Sequence, residues 1–236
     1  MSISKRENII QSIADSYVDR ELFSGIEWLA EKSGKTILSG KSGYQKFEDK
    51  SDIPENAIYR IYSMTKPITA VLALKLIEKG MLRLYDPVSS FIPSFNNLRV
   101  LNSDGTTEDI LRPMNIEDLL THRSGLTYDF LAWCHVAPLY SEQAISDDGS
   151  KSLEEKCEIL SSIPLAYQPG TQFNYSVSLD VLARIIEVIS GKDFHIILKE
   201  EIFDPLEMSD TGSVSYTHLR AHETEADVVC RLLLEK

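Results

Sequence analysis

Apolar positions recur at three- and four-residue steps in several stretches, and these set the predicted helices. In the opening stretch, Ile9, Ile10, Ile13 and Tyr17 share one helical face. Two short β-forming runs follow, Ile26–Ala30 and Thr36–Leu38, around Ser33-Gly34-Lys35, which predicts a hairpin ended by Gly40 and Gly43. Residues Ile58–Tyr62 read as extended. From Ser63 the series Met64, Ile68, Val71, Leu72, Leu76 predicts a helix with Pro67 in its first turn and a stop at Gly80.

Between Asp86-Pro87 and Pro113 the chain is a connector rich in Pro, Ser and Asn. Beyond it, Ile116–Leu120, Leu153–Leu160, Leu179–Ile189 and Ile196–Ile202 read as helices, with Gly191 ending the third. Strands early and helices later make a mixed α+β chain.

The pattern breaks at Ser213. Back-translated, SVSYTHLRAHET resembles a transposase-end adapter from DNA library preparation, and VVCRLLLEK the far end of the same adapter. The competing reading is an acidic amphipathic helix. On the adapter reading, residues 1–212 are the N-terminal part of one domain, 213–236 form no domain, and the natural protein continues differently after residue 212.

With 24 Lys+Arg against 36 Asp+Glu, the net charge of −12 leaves no basic footprint for nucleic acid or an anionic membrane. No apolar run approaches the ~20 residues of a spanning helix. At 43% hydrophobic and 25% charged, the composition is globular. Cysteines 134, 157 and 230 are too widely spaced for a metal site and read as buried free thiols. With no signal-peptide core at the start, a cytoplasmic address is expected. No metal or cofactor is expected, and the residues set no oligomeric state.

Two motifs are near misses. Gly34–Ser42 ends in Gly-Lys-Ser, but five residues separate its glycines where a phosphate loop needs four; Gly40-Lys41-Ser42-Gly43 places its second glycine one position early for a serine elbow. Ser42 is read as a turn residue.

Ser63-Met64-Thr65-Lys66 is different because it stands where an extended segment enters a long helix. Three residues apart on a helix, the hydroxyl and the amine are neighbours, and first-turn N–H groups lack intrahelical acceptors. A serine nucleophile needs both a proton acceptor and donors for the developing oxyanion. The spacing is common, and Ser2 and Lys5 match it too; the alternative is a capping serine beside a solvated lysine. Tyr175-Ser176 follows the Pro169-Gly170-Thr171 turn and precedes a helix, so Tyr175 can face a site. A phenol with its ordinary pKa of about 10 is a poor base near neutrality unless a lysine stabilises its phenolate. The alternative is a core aromatic with a satisfied hydroxyl.

Several stretches in order, YRIYSMTKP (59–67), the acidic turn 84–87, LLTHRSGL (119–126), QPGTQFNY (168–175), the helix to Gly191 and IFDPLEMSDTG (202–212), resemble the serine β-lactamase and DD-peptidase superfamily over residues 5–212, and within it the class C β-lactamase-like esterases. The resemblance implies a β-lactamase/transpeptidase-like fold, an antiparallel sheet flanked by helices plus a helical region, with the C-terminal part of the sheet missing from this chain. It implies an acyl-enzyme on Ser63, Lys66 as activating partner, Tyr175 as base or proton shuttle, and a small-molecule ester or amide substrate. Ser63 N–H would be half of the oxyanion hole.

Two departures matter. Class C β-lactamases carry x-Asn after the tyrosine, where Ser176-Val177 stands here, which favours esters over penicillins. The late Lys/His-x-Gly strand, source of the second oxyanion donor, is absent, so inefficient catalysis and aggregation are expected of the chain as written. β-Lactamase or peptidase activity, and a non-catalytic ligand-binding relative, stay open. Tyr128, Trp133 and Val177, with Phe130 and Tyr140 beside them, are candidate substrate-binding residues, core packing being the alternative for the aromatics. His122 and Arg123 are read as structural, and Ser209-Asp210-Thr211 as a turn.

Overall fold

The computed structural model describes residues 3–146, 151–213 and 228–230. The chain forms two compact units, one reaching to Ile58 and the other spanning Tyr59–Cys230.

In the first unit, helix α1 (Ile3–Asp19) packs on a hairpin of β1 (Gly25–Lys32) and β2 (Lys35–Gly43). Both turn residues, Ser33 and Gly34, have positive φ, the geometry that matches a two-residue turn to strand twist. Gly40 does not end the hairpin: it lies within β2 opposite Trp28, whose ring occupies the space a Cβ would take. Ser42 is likewise a strand residue, donating its hydroxyl to Asp15. That bond, with Gln11 donating to Asp15 and to the Lys41 carbonyl, turns α1 away from the expected face. Ala14 is buried, whereas Ile9, Ile13 and Tyr17 are exposed.

The second unit begins with β3 (Tyr59–Arg60), a helical turn at Tyr62–Met64 and α2 (Thr65–Glu78), which Gly80 stops at positive φ. Leu72, Ala73 and Leu76 face the core; Met64 and Val71 are exposed. The connector contains an unexpected small hairpin, β4 (Arg99–Leu101) with β5 (Thr107–Asp109), tied to the core by hydrogen bonds between Arg99, Leu101 and Leu165.

Helices α3 (Ile116–Leu120), α4 (Ala137–Glu142, not anticipated), α5 (Leu153–Ser162), α6 (Ser178–Ser190) and α7 (Phe194–Leu198) follow. A π-helical turn, Lys199–Phe203, continues α7, so the predicted helix Ile196–Ile202 starts earlier and changes its winding. Asn115 and Ser152 close capping boxes with Asp118 and Glu155. Central α6 buries Leu179, Val181, Leu182, Ile185 and Ile186 and contacts α2, α3, α5 and α7. Cys134 and Cys157 are buried free thiols, and Ser209 and Asp210 form a turn.

A three-stranded antiparallel sheet has the order β3, β7 (Val228–Cys230), β6 (Gly212–Ser213). Apart from Ser213 and β7, the segment read as adapter lies outside the described residues. No described helix is long and apolar enough to cross a membrane.

Candidate active site

Ser63 stands in the helical turn that joins β3 to α2, and its predecessor Tyr62 has φ of 45°. A bulky residue at positive φ is a strained arrangement. Here it bends the backbone sharply just before an exposed Ser63. One helical step on, Lys66 Nζ is 3.4 Å from Ser63 Oγ. That is long for a hydrogen bond, as catalytic pairs often are before substrate arrives.

Two distant segments build the other wall. Gly125 O accepts Ala166 N–H at 2.8 Å, Arg123 O accepts Gly170 N–H at 2.7 Å, and His122 O accepts Asn174 N–H at 2.8 Å. Asn174 Nδ2 donates to Leu126 O at 2.8 Å. These bonds join the LLTHRSGL and QPGTQFNY segments side by side. Gly125 is required there: its φ is 85°, and a Cβ would fall 2.1 Å from the Tyr167 carbonyl oxygen. Arg112 anchors the base by a two-pronged ion pair to buried Asp118, both contacts 2.7 Å.

The paired segments deliver a row of rings. Tyr175 lies 4.9 Å from His122 and 5.5 Å from Tyr128, centroid to centroid; Phe130 stacks on Tyr128 at 4.8 Å, and Phe173 meets His122 edge-on at 5.9 Å. Lys66 Nζ sits over the middle of the row, 5.1 Å from the Tyr175 centroid and 5.3 Å from that of Tyr128. Ring faces attract a cation, and among the described residues no carboxylate pairs with Lys66. Burial, then the nearby Lys66 charge, push the His122 imidazole down to about 4, so it is neutral near pH 7.

Ser63, Lys66, Tyr175 and Tyr128 thus gather in one place, Ser63 through Lys66 and the rings through one another. Val177 is the buried residue that opens α6, where it lines a small cavity with Tyr128, Ile145, Ser146, Lys156, Leu160 and Asp180. Trp133 is 74% exposed, and among the described residues no ring contact ties it to the row. Tyr140 is a core residue whose hydroxyl accepts Thr127 N–H at 3.4 Å; burial raises its pKa. Arg123 is structural, bonding to the Gly170 carbonyl. His122, read as structural, is tied in place by Ser176, whose N–H donates to its Nδ1 at 3.2 Å. The one signal in the sequence was its position in LLTHRSGL, which ends two residues before Tyr128.

The Beta-lactamase family model matches residues 10–226. Esterase EstB of Burkholderia gladioli is 30% identical over 209 residues, covering 87% of this chain and 51% of its own. Lovastatin esterase of Penicillium rubens is 31% identical over 182 residues, covering 75% of this chain and 43% of its own. Among solved structures, EstCE1, a hydrolase with promiscuous acyltransferase activity, superposes with a TM-score of 0.75 at 27% identity, covering 97% of this chain and 59% of that one. The chain spans about half the length of the curated relatives it matches. The ordered motifs, the fold they build and the span of the family match lead to one conclusion: the chain belongs to the Beta-lactamase family.

Proposed function

We propose that this chain carries the acylating centre of a serine hydrolase acting on small carboxylic esters. The observation that carries the reading is Lys66 Nζ, 3.4 Å from Ser63 Oγ and seated on the faces of Tyr175 and Tyr128. The Ser63 hydroxyl gives its proton to the Lys66–Tyr175 pair as Oγ bonds to the ester carbonyl carbon. The resulting oxyanion is met by the Ser63 N–H, since the Met64 and Thr65 N–H groups are bonded within the turn. Collapse breaks the C–O bond, the pair returns the proton to the departing alkoxide, and water or another alcohol releases the acyl group from Ser63. Tyr128, whose ring lies under Lys66, borders this centre, and buried Val177 beside Tyr128 and exposed Trp133 are proposed as further substrate-binding residues.

The names of EstB and lovastatin esterase support esters as substrates. Val177 supports them over β-lactams, because it puts an apolar group where class C β-lactamases carry an amide. Two buried free thiols fit a reducing compartment, and the cytoplasm is the location proposed. In keeping with the break in pattern at Ser213, residues 1–212 are proposed as the authentic part of the domain.

The test is pre-steady-state release of nitrophenolate from a nitrophenyl ester. A burst that approaches one equivalent and vanishes in Ser63→Ala is expected. A burst that survives in Ser63→Ala would refute the assignment.

A further inference from the structure

His122 is held more tightly than packing alone requires. Its Nδ1 accepts Ser176 N–H at 3.2 Å and lies 3.3 Å from Ser176 Oγ. An imidazole nitrogen that accepts a backbone N–H carries no proton, so the neutral ring keeps its proton on Nε2. Behind it runs a line of hydroxyls: Ser176 Oγ is 2.7 Å from Ser178 Oγ, which is 2.7 Å from Ser124 Oγ, and Ser124 Oγ accepts Leu126 N–H at 3.1 Å. All three serines are fully buried. Burying hydroxyls costs free energy unless each is bonded, and apolar residues would join the two segments at less expense. The backbone at His122 also has φ of 53°, uncommon for a residue with a Cβ.

This polar line ends on the ring that touches Tyr175, at 4.9 Å between centroids. On its other side Tyr175 meets Tyr128. The phenol is therefore clamped between one wall of the core and one ring whose tautomer and tilt are set by hydrogen bonds. A neutral ring there leaves Lys66 as the cation on the Tyr175 face, and the depressed basicity of His122 fits this placement.

We propose that His122 is a positioning residue for Tyr175, its neutral ring locked by Ser176 N–H and the Ser176–Ser178–Ser124 hydroxyl line so that the phenol stays aligned with Lys66. The proposal rests on the reading of Tyr175 as the proton carrier for Ser63. It assigns His122 no contact with reacting atoms, and its whole effect passes through Tyr175.

The experiment is a double-mutant cycle on the rate at which a fluorophosphonate labels Ser63 in the full 236-residue chain. Labelling is a single event per molecule and needs no turnover. His122→Asn removes the ring but keeps an acceptor for Ser176 N–H and tolerates positive φ. With Tyr175 present, labelling slows by about 10- to 100-fold at an unchanged Tm, the scale of loss when a reacting group is displaced by about 1 Å. In a Tyr175→Phe background the same change slows labelling by less than about twofold, since two residues acting through one group are not additive. Equal slowing in both backgrounds, or none in either, overturns the positioning role while leaving Tyr175 in place. If Tyr175→Phe alone labels at the wild-type rate, the parent reading falls, a distinguishable result. Should His122→Asn fail to fold, nitrogen NMR of the unaltered chain decides: an unprotonated Nδ1 and a protonated Nε2 at pH 7 are expected, and the opposite tautomer refutes the lock.

Discussion

The Lys66 ammonium rests 5.1 Å from the centre of the Tyr175 ring and 3.4 Å from Ser63 Oγ. Acylation needs the Lys66–Tyr175 pair to offer one vacant proton site, on the Lys66 amine or the Tyr175 oxygen, to which the serine proton passes. Lys66→Met is expected to slow fluorophosphonate labelling of Ser63 by roughly 10²- to 10⁴-fold, the usual worth of a positioned acid–base group. Labelling within a few-fold of wild type would make Lys66 a solvated lysine beside an ordinary serine.

Tyr175 offers a cleaner separation of stability from chemistry. Among the described residues its hydroxyl makes no hydrogen bond, while its ring packs against His122 and Tyr128. Tyr175→Phe keeps the ring, so stability should change by less than about 1 kcal/mol, the net worth of one ordinary hydrogen bond. Labelling of Ser63 should fall by about 10²-fold or more. A large loss in a urea titration with an intact labelling rate would make Tyr175 a structural residue.

The His122 imidazole makes stability depend on pH in a defined window. Its ordinary pKa is 6.5 and burial, then Lys66, hold it at about 4 in the folded chain. Between these values the unfolded chain binds a proton that the folded chain does not, so stability rises with pH there. The contribution is complete above pH 6.5, is lost as the pH falls to about 4, and changes no further below that. Tm measured from pH 7 to pH 4 should therefore fall more steeply in the unaltered chain than in His122→Asn. Carboxylates with lowered pKa, such as Asp15 and Glu155, act alike in both proteins and cancel. Equal slopes would contradict a buried neutral imidazole.

Gly125→Ala tests the seam between the two wall segments. The added methyl would meet the Tyr167 carbonyl at 2.1 Å and stand at φ of 85°. The cost should exceed the roughly 1 kcal/mol of a merely unfavourable φ, with the seam pushed apart. Both thermal stability and Ser63 labelling are expected to drop; a stable, readily labelled variant would show that the seam does not set the site.

What could be read from the chain follows the range of the forces involved. Helices α2 and α6 were legible because their stripes and glycine stops are local, and Ser63–Lys66 because one helical step fixes the spacing. The face of α1 was not, because Asp15 and Gln11 turn it by bonding to a strand some 30 residues away. Strands β4 and β5 were hidden in a polar connector, since their support comes from Leu165. The partners of His122 were hidden for the same reason: Ser176 and Tyr175 lie more than fifty residues on. Trp133, an aromatic chosen for its type, is exposed.

The central claim is that Ser63, Lys66 and Tyr175 act as one unit that acylates Ser63, and peptide mapping after fluorophosphonate treatment tests it most directly. The adduct should be carried by Ser63, with the Lys66→Met, Tyr175→Phe double variant labelling no more slowly than the slower single variant, because groups that share one proton fail together. An adduct on another serine, or losses that multiply in the double variant, would contradict the account.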